Sequence, residues 1–178
     1  MEQGEGETME KIREELLAME EEDQRLLKEN STDFSQTAKS NTSRLKEIVG
    51  EIGWPSISKV GVEASDAAWL LTQHSDHDLE FQERALAMMK ELPEGEIKKR
   101  NIAYLEDRVK VRGKGLPQIY GTQFWTDENG KYVPRPIENP DKVDERRAAV
   151  GLGSLEKYQD IMEKFNRGEI GASDKIKI

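Results

Sequence analysis

The chain contains only two histidines, and the position of His74 gives it chemical interest. It follows Ala67 by seven residues and Leu70 and Leu71 by four and three. On a helix those spacings set the imidazole on the apolar side. A buried imidazole must find hydrogen-bond partners or stay neutral, and one beside a carboxylate can serve as a general acid or base. Asp107 is the expected carboxylate. The competing reading is a core histidine satisfied by backbone or a neighbouring side chain. His74 and His77, with Asp76 and Asp78 beside them, also have a helical i,i+3 spacing that could bring two ring nitrogens to a metal. With no cysteine and no complete ligand motif, a polar helix end is the simpler account. No metal is expected and no cofactor is assigned.

Tyr104, Asp107 and Arg108 share one side of a predicted helix. Arg108 offers a planar fork to a carboxylate or phosphate, and Arg147 is a second candidate anion holder. Arg108 could as readily bind the neighbours of Asp107 or a carbonyl at the helix end. Gln73, Gln82, Tyr120 and Gln123 supply polar groups that could orient a small molecule. The run from Gln118 to Trp125 reads as a strand, with Gln118, Tyr120 and Thr122 on one face. Gly121 within it marks a bulge or a close approach of another group. Covalent nucleophilic catalysis has no support, because there is no Gly-x-Ser-x-Gly elbow. Arg112-Gly113-Lys114-Gly115 lacks the spacing of a phosphate loop and reads as a turn.

These residues need elements to hold them. Met9, Ile12, Leu16, Met19 and Leu26 follow a 3,4 spacing, with Asp23 in the one missing seam position, and predict an amphipathic helix. Ser31, Thr32 and Asp33 are cap types before a second stripe through Phe34, Ala38, Leu45, Ile48, Val49 and Ile52, so the two helices should form an antiparallel hairpin. Gly53-Trp54-Pro55-Ser56 opens a loop expected to last until Gly61, with Trp54 a packing residue. A third helix carries Ala67 to His74. A fourth runs through Leu79, Gln82, Leu86 and Met89, and Pro93 is expected to open a fifth through Ile97, Ile102 and Leu105. Beyond Val109 the texture turns to strand and turn, with Asn129-Gly130 as a hairpin turn and Val109 to Arg112 as a candidate third strand. Two helices follow, around Val143 to Arg147 and Leu155 to Phe165.

The expected fold is therefore α+β: a mainly helical body with a small antiparallel hairpin sheet at about 109–136, before the C-terminal helices. At 178 residues one core is expected, burying roughly 70% of the unfolded chain's surface. Hydrophobic and charged residues each make up 35%, and the net charge is −9. Residues 1–30 hold eleven acidic and four basic residues, which singles them out as an acidic helix separate from a globular part at 31–167, with a frayed tail at 168–178. That charge argues against nucleic acid or an anionic membrane as partner. The start has neither a basic region nor an apolar run, so no signal peptide is expected. The lack of cysteine fits a cytoplasmic, reducing setting.

Gly53-Trp54-Pro55, Val60-Gly61, Gln73-His74, Gln82, Tyr104-Leu105-Glu106-Asp107-Arg108, Gln118 and Tyr120-Gly121-Thr122-Gln123 occur in a distinctive order. Pro136-Ile137, Val143-Asp144, Arg146-Arg147 and Gly151-Leu152 extend it. Together they resemble the bacterial family catalogued as domain of unknown function 6624, over roughly residues 45–160. The resemblance implies a domain and a set of candidate positions, without a reaction. The acidic first helix lies outside the recognised part.

The functional expectation is a small-molecule enzyme or binding domain, in its most economical form a hydrolase that activates water. His74 would be the acid/base group, Asp107 its orienting partner, and Arg108 or Arg147 the anion holder. The alternative is an interaction protein, an immunity or regulatory partner that engages something basic through the acidic helix, with the inward polar residues serving as a structural network.

Overall fold

The computed structural model describes residues 2–170, with side chains from Gly6 onward. The expected frayed tail lies mostly outside them, at 171–178. The structure is mainly helical, with a two-stranded antiparallel sheet before the C-terminal helices. Contacts divide the chain after Asn101 into two compact units. No helix among the described residues is long and apolar enough to cross a membrane.

The first unit is built on α1 (Glu2–Lys28), α2 (Phe34–Ile52), α3 (Ile57–Gln73) and α4 (Leu79–Glu91). The seam of α1 is buried at Ile12, Leu16, Asp23 and Leu26, as the 3,4 spacing requires. That seam packs chiefly against α3 and less against α2, so the acidic helix belongs to the first unit. A fork of two hydrogen bonds, Arg44 Nε to Glu15 Oε1 at 2.6 Å and Arg44 Nη2 to Glu15 Oε2 at 2.9 Å, joins α1 to α2. The α2 stripe is buried at Ala38, Leu45, Ile48 and Val49, and Gly53 ends it with φ 71° while its N–H returns to Val49 O.

α3 begins at Ile57, before the expected end of the loop. Glu96 holds its first turn: the Ser58 N–H and hydroxyl both donate to the Glu96 carboxylate, and Ile57 N–H donates to Glu96 O. The helix then kinks at Gly61, whose φ of 82° only glycine adopts freely. Beyond the kink, residues from Ala64 to Gln73 are buried almost without interruption, which makes α3 the central helix of its unit. Trp54 is 2% exposed and packs, as expected. Pro93 does not open the fifth helix. Gly95, at φ 90°, keeps 93–98 in turns that present Glu96 to Ser58, and α5 starts only at Lys99 (Lys99–Arg108).

In the second unit α5 runs on into a π-helical turn, Val109–Gly113, where a third strand was expected. Leu116 N–H donates to Lys110 O, so the segment closes on itself instead of pairing in the sheet. The sheet is β1 (Phe124–Thr126) against β2 (Tyr132–Pro134), in the register Phe124 to Pro134, Trp125 to Val133 and Thr126 to Tyr132. Its turn is organised by Asp127, whose carboxylate accepts from Asn129 N–H at 2.9 Å and Lys131 N–H at 2.8 Å. Gly130 alone in that turn has a positive φ, so Asn129-Gly130 does not form the tight pair of left-handed residues expected. A 3₁₀ turn at Pro140–Lys142 leads to α6 (Val143–Ala149) and then α7 (Leu155–Asn166).

Candidate functional site

Asp23 is the polar residue in the apolar seam of α1, and it is completely buried. Its Oδ2 lies 2.7 Å from His74 Nδ1 and also accepts from Gln24 Nε2 at 3.0 Å. His74 caps the C-terminus of α3, its N–H returning to Leu70 O and Leu71 O, so the backbone fixes where the ring starts. Phe34, at the start of α2, meets the ring edge-on with centroids 5.5 Å apart. The imidazole is thus held by one carboxylate and one aromatic edge. An ionised carboxylate only accepts, so the neutral ring carries its proton on Nδ1 and its lone pair on Nε2. The side chain keeps 16% of its surface exposed, and Nε2 makes no hydrogen bond among the described residues.

This is the dyad geometry in which a buried carboxylate orients an imidazole whose far nitrogen can take or give a proton. The carboxylate on Nδ1 is Asp23, not the expected Asp107. Asp23 also carries the clearest sign of electrostatic tension in the unit: its Oδ1 is buried with no hydrogen-bond partner among the described residues. One turn earlier on α1, burial pushes the Glu20 carboxyl up, and the nearby charges of Asp66 and Asp23 add to the shift. Asp66 itself is satisfied by Lys98 Nζ and, at 2.8 Å, by Asn101 Nδ2.

The other first-unit candidates sort differently. Gln82, 1% exposed, donates from Nε2 to Thr72 O at 3.0 Å and Gln73 O at 3.4 Å. It closes the carbonyl end of α3, a structural task. Gln73 is buried beside His74 in the chain. Ser75 Oγ pairs with Thr42 Oγ1 at 2.8 Å, so that hydroxyl pair lies inside the core. Asp78, which seemed available to a metal, caps α4 at Phe81 N–H and meets Lys46 Nζ at 2.5 Å. The Lys46 bond and the cap hold its carboxyl below the usual range, against burial. Among the described residues no group of three acidic, histidine or cysteine side chains is placed to hold a metal ion.

In the second unit the candidates converge on the loop 118–123. Asp107, fully buried, accepts from Ile119 N–H at 2.6 Å, Tyr120 N–H at 3.0 and 3.1 Å, Thr122 N–H at 3.0 Å and Thr122 Oγ1 at 3.0 Å. Burial pushes its carboxyl up while those donors pull it back. The loop's carbonyls go to arginines: Ile119 O accepts from Arg146 Nε at 2.9 Å and Tyr120 O from Arg147 Nη1 at 2.7 Å. Arg147, 1% exposed, spends Nε on Gly153 O at 2.6 Å and lies 4.9 Å over the Tyr158 ring. The buried Gln118 stitches the base of the loop, donating to Gln123 O and Arg135 O and accepting from Gln123 N–H. Gln123 Nε2 donates to Thr122 Oγ1 at 3.2 Å.

The run 118–123 is therefore a clasped loop, not the expected strand. Asp107 takes the amides of Ile119, Tyr120 and Thr122, and Gln118 Oε1 takes that of Gln123, so only Gln118 makes a strand-like bridge, to Ile137, and the alternating face of Gln118, Tyr120 and Thr122 is lost. Gly121, at φ 71°, allows the tightest point: a Cβ there would lie 2.7 Å from Leu155 Cδ1. Asp107, Arg147 and Gln123 hold this loop. Tyr120 keeps a half-buried ring, with its hydroxyl pushed up by burial and then by the charges of Glu106 and Asp107. Arg108 closes α5. The residues sequence reasoning missed are Asp23, visible only as the gap in an apolar seam, and Arg146.

A family model matches residues 10–168, from within α1 to the end of α7. The chain belongs to the family of unknown function DUF6624. Asp23 and His74 both lie in the stretch that DUF6624 covers, so most of the acidic helix falls inside the family's domain. Neither a curated protein nor a solved structure matches the chain.

Proposed function

We propose that the first unit carries a small-molecule enzyme or binding site in which His74 is the acid/base group and Asp23 its orienting carboxylate. The carrying observation is the 2.7 Å contact between His74 Nδ1 and the fully buried Asp23 Oδ2, which engages one ring nitrogen and leaves the other for chemistry. Hydrolysis by an activated water is the most economical reaction, because the nearest serine hydroxyl in sequence, Ser75, is engaged with Thr42 and Leu71 O. Nε2 would take a proton from water as it attacks, and return it to the leaving group. Phe34, edge-on to the ring, supplies an apolar wall that a substrate would meet. The cysteine-free composition and the family resemblance favour a bacterial, cytoplasmic setting.

A thermal-shift and hydrolase screen against small metabolites tests this reading, since a ligand that binds only the folded chain raises its melting temperature. The expected result is a ligand that shifts wild type but not His74→Gln, and an activity lost in His74→Gln and strongly reduced in Asp23→Asn. A broad panel with no shift and no activity counts against it.

The reading as an interaction protein draws on the exposed Glu14 and Glu21, which stand two turns apart on α1. Much of the remaining acidity is already engaged, as in Arg25 with Glu22 and Glu29. Deleting residues 1–30 would remove Asp23 as well. Charge reversal at Glu14 and Glu21 isolates the surface, and loss of a basic protein partner in that variant alone supports this second reading.

A further inference from the structure

The second unit has a groove of about 220 Å³ lined by Val111, Gly115, Leu116, Pro117, Arg135 and Pro136. Its walls are stitched in place from behind. Leu116 N–H donates to Lys110 O, Gln118 N–H to Pro136 O, Gln118 Nε2 to Arg135 O and Arg135 N–H to Gln123 O. The groove is preformed, and a partner would not have to order it.

Apolar surface continues past the groove. Leu116 is 49% exposed and Trp125 41% exposed, and the Arg135 guanidinium lies 5.1 Å over the Trp125 ring. These two are the large hydrophobics most exposed among the described residues of this unit, and both stand next to Arg135 or in the groove wall. Arg135 makes no ion pair among the described residues, and its charge is held on the indole face. The local charge balance is also distinctive. Residues 109–136 contain five basic and two acidic residues, in a chain of net charge −9; Lys110 is paired with Glu138 at 3.0 Å, and Arg135 is the charged residue that lines the groove.

The volume argues against a cofactor or drug-sized ligand, whose pockets run from about 300 to 1,000 Å³. It suits a single side chain. Because Leu116 and Trp125 carry the apolar surface beyond that one side chain, the occupant extends along the surface as a peptide does. We propose that this groove docks an acidic peptide segment of a partner protein, which inserts one apolar side chain among Val111, Leu116, Pro117 and Pro136 and sets a carboxylate against Arg135. Arg135 then provides register and charge selection, and Trp125 a flat apolar platform.

The probe is a blocked peptide alternating glutamate with leucine, titrated calorimetrically into the full chain, with a lysine–leucine peptide as control. Trp125 reports the location, because the other two tryptophans, Trp54 and Trp69, are 2% and 4% exposed and would not respond to a surface ligand. Saturable binding of the glutamate peptide with a change in indole emission is expected, and no binding of the lysine peptide. Arg135→Glu and Leu116→Asp should each weaken binding by about tenfold or more. Both side chains are exposed and only the Arg135 backbone serves the fold, so circular dichroism should match wild type. Absence of saturable heat, equal binding of the lysine peptide, or undiminished binding by Arg135→Glu overturns the proposal.

Discussion

Asp107 Oδ2 accepts from both the amide and the hydroxyl of Thr122, each at 3.0 Å. With Ile119 and Tyr120 also donating, one α5 carboxylate sets the path of the loop that follows the π-helical turn. Asp107→Asn keeps the shape but turns an NH₂ group toward amide donors. A loss of about 3 kcal/mol in unfolding free energy is expected by urea denaturation, and about 1 kcal/mol for Thr122→Val, which removes one donor to Asp107 and the acceptor of Gln123 Nε2. A loss below about 0.5 kcal/mol for Asp107→Asn contradicts the clasp.

Gly121 is constrained twice, by its φ of 71° and by Leu155 Cδ1 at 2.7 Å from where a Cβ would stand. Gly121→Ala should cost about 3 kcal/mol. Combined with Leu155→Ala the total loss should be smaller than the sum by about 1 kcal/mol, because the clash disappears while the backbone strain stays. Strict additivity in that double-mutant cycle refutes the close approach.

The tautomer of His74 is measurable without a substrate. Nitrogen chemical shifts should place the proton of the neutral ring on Nδ1 in wild type, and Asp23→Ala should move the population toward Nε2–H. A ring already in the Nε2–H form in wild type contradicts the dyad.

Glu20 makes the stability of the first unit depend on pH. Burial, then Asp66 and Asp23, raises its folded-state pKa above the ordinary 4.5. Between the two values the folded chain binds the extra proton, so this contribution is complete below 4.5 and is lost as pH rises through the higher folded value. Glu20→Gln should therefore raise the melting temperature at pH 7 and lose that advantage below pH 4.5. An equal effect at both pH values would show that charge is not the cause.

Where the sequence pattern depended on short-range geometry it was legible. The α1 seam, the α2 stripe, the Gly53 stop and the helices at 79–91, 143–149 and 155–166 all follow from local spacing and caps. The oddity of Asp23 was legible too, but its partner was not, since His74 lies 51 residues away and only the packing of α1 on α3 joins them. The run from Gln118 to Gln123 was misread because its β-forming side chains conceal amides that bond to Asp107, twelve or more residues earlier. The stretch after Pro93 was misread because Gly95 and the bonds from Ser58 to Glu96 override a favourable helix start.

The choice of partner for α1 also has a temporal consequence. Its buried seam faces α3 more than the adjacent α2, so a nascent chain cannot cover Ile12, Leu16 and Leu26 with the helix hairpin alone. The seam stays partly wet until synthesis has passed Gln73. Domains generally form from the N-terminus as the ribosome advances. The arrival of His74 at Asp23 would then mark the moment at which the first unit closes, before most of the second unit has been made.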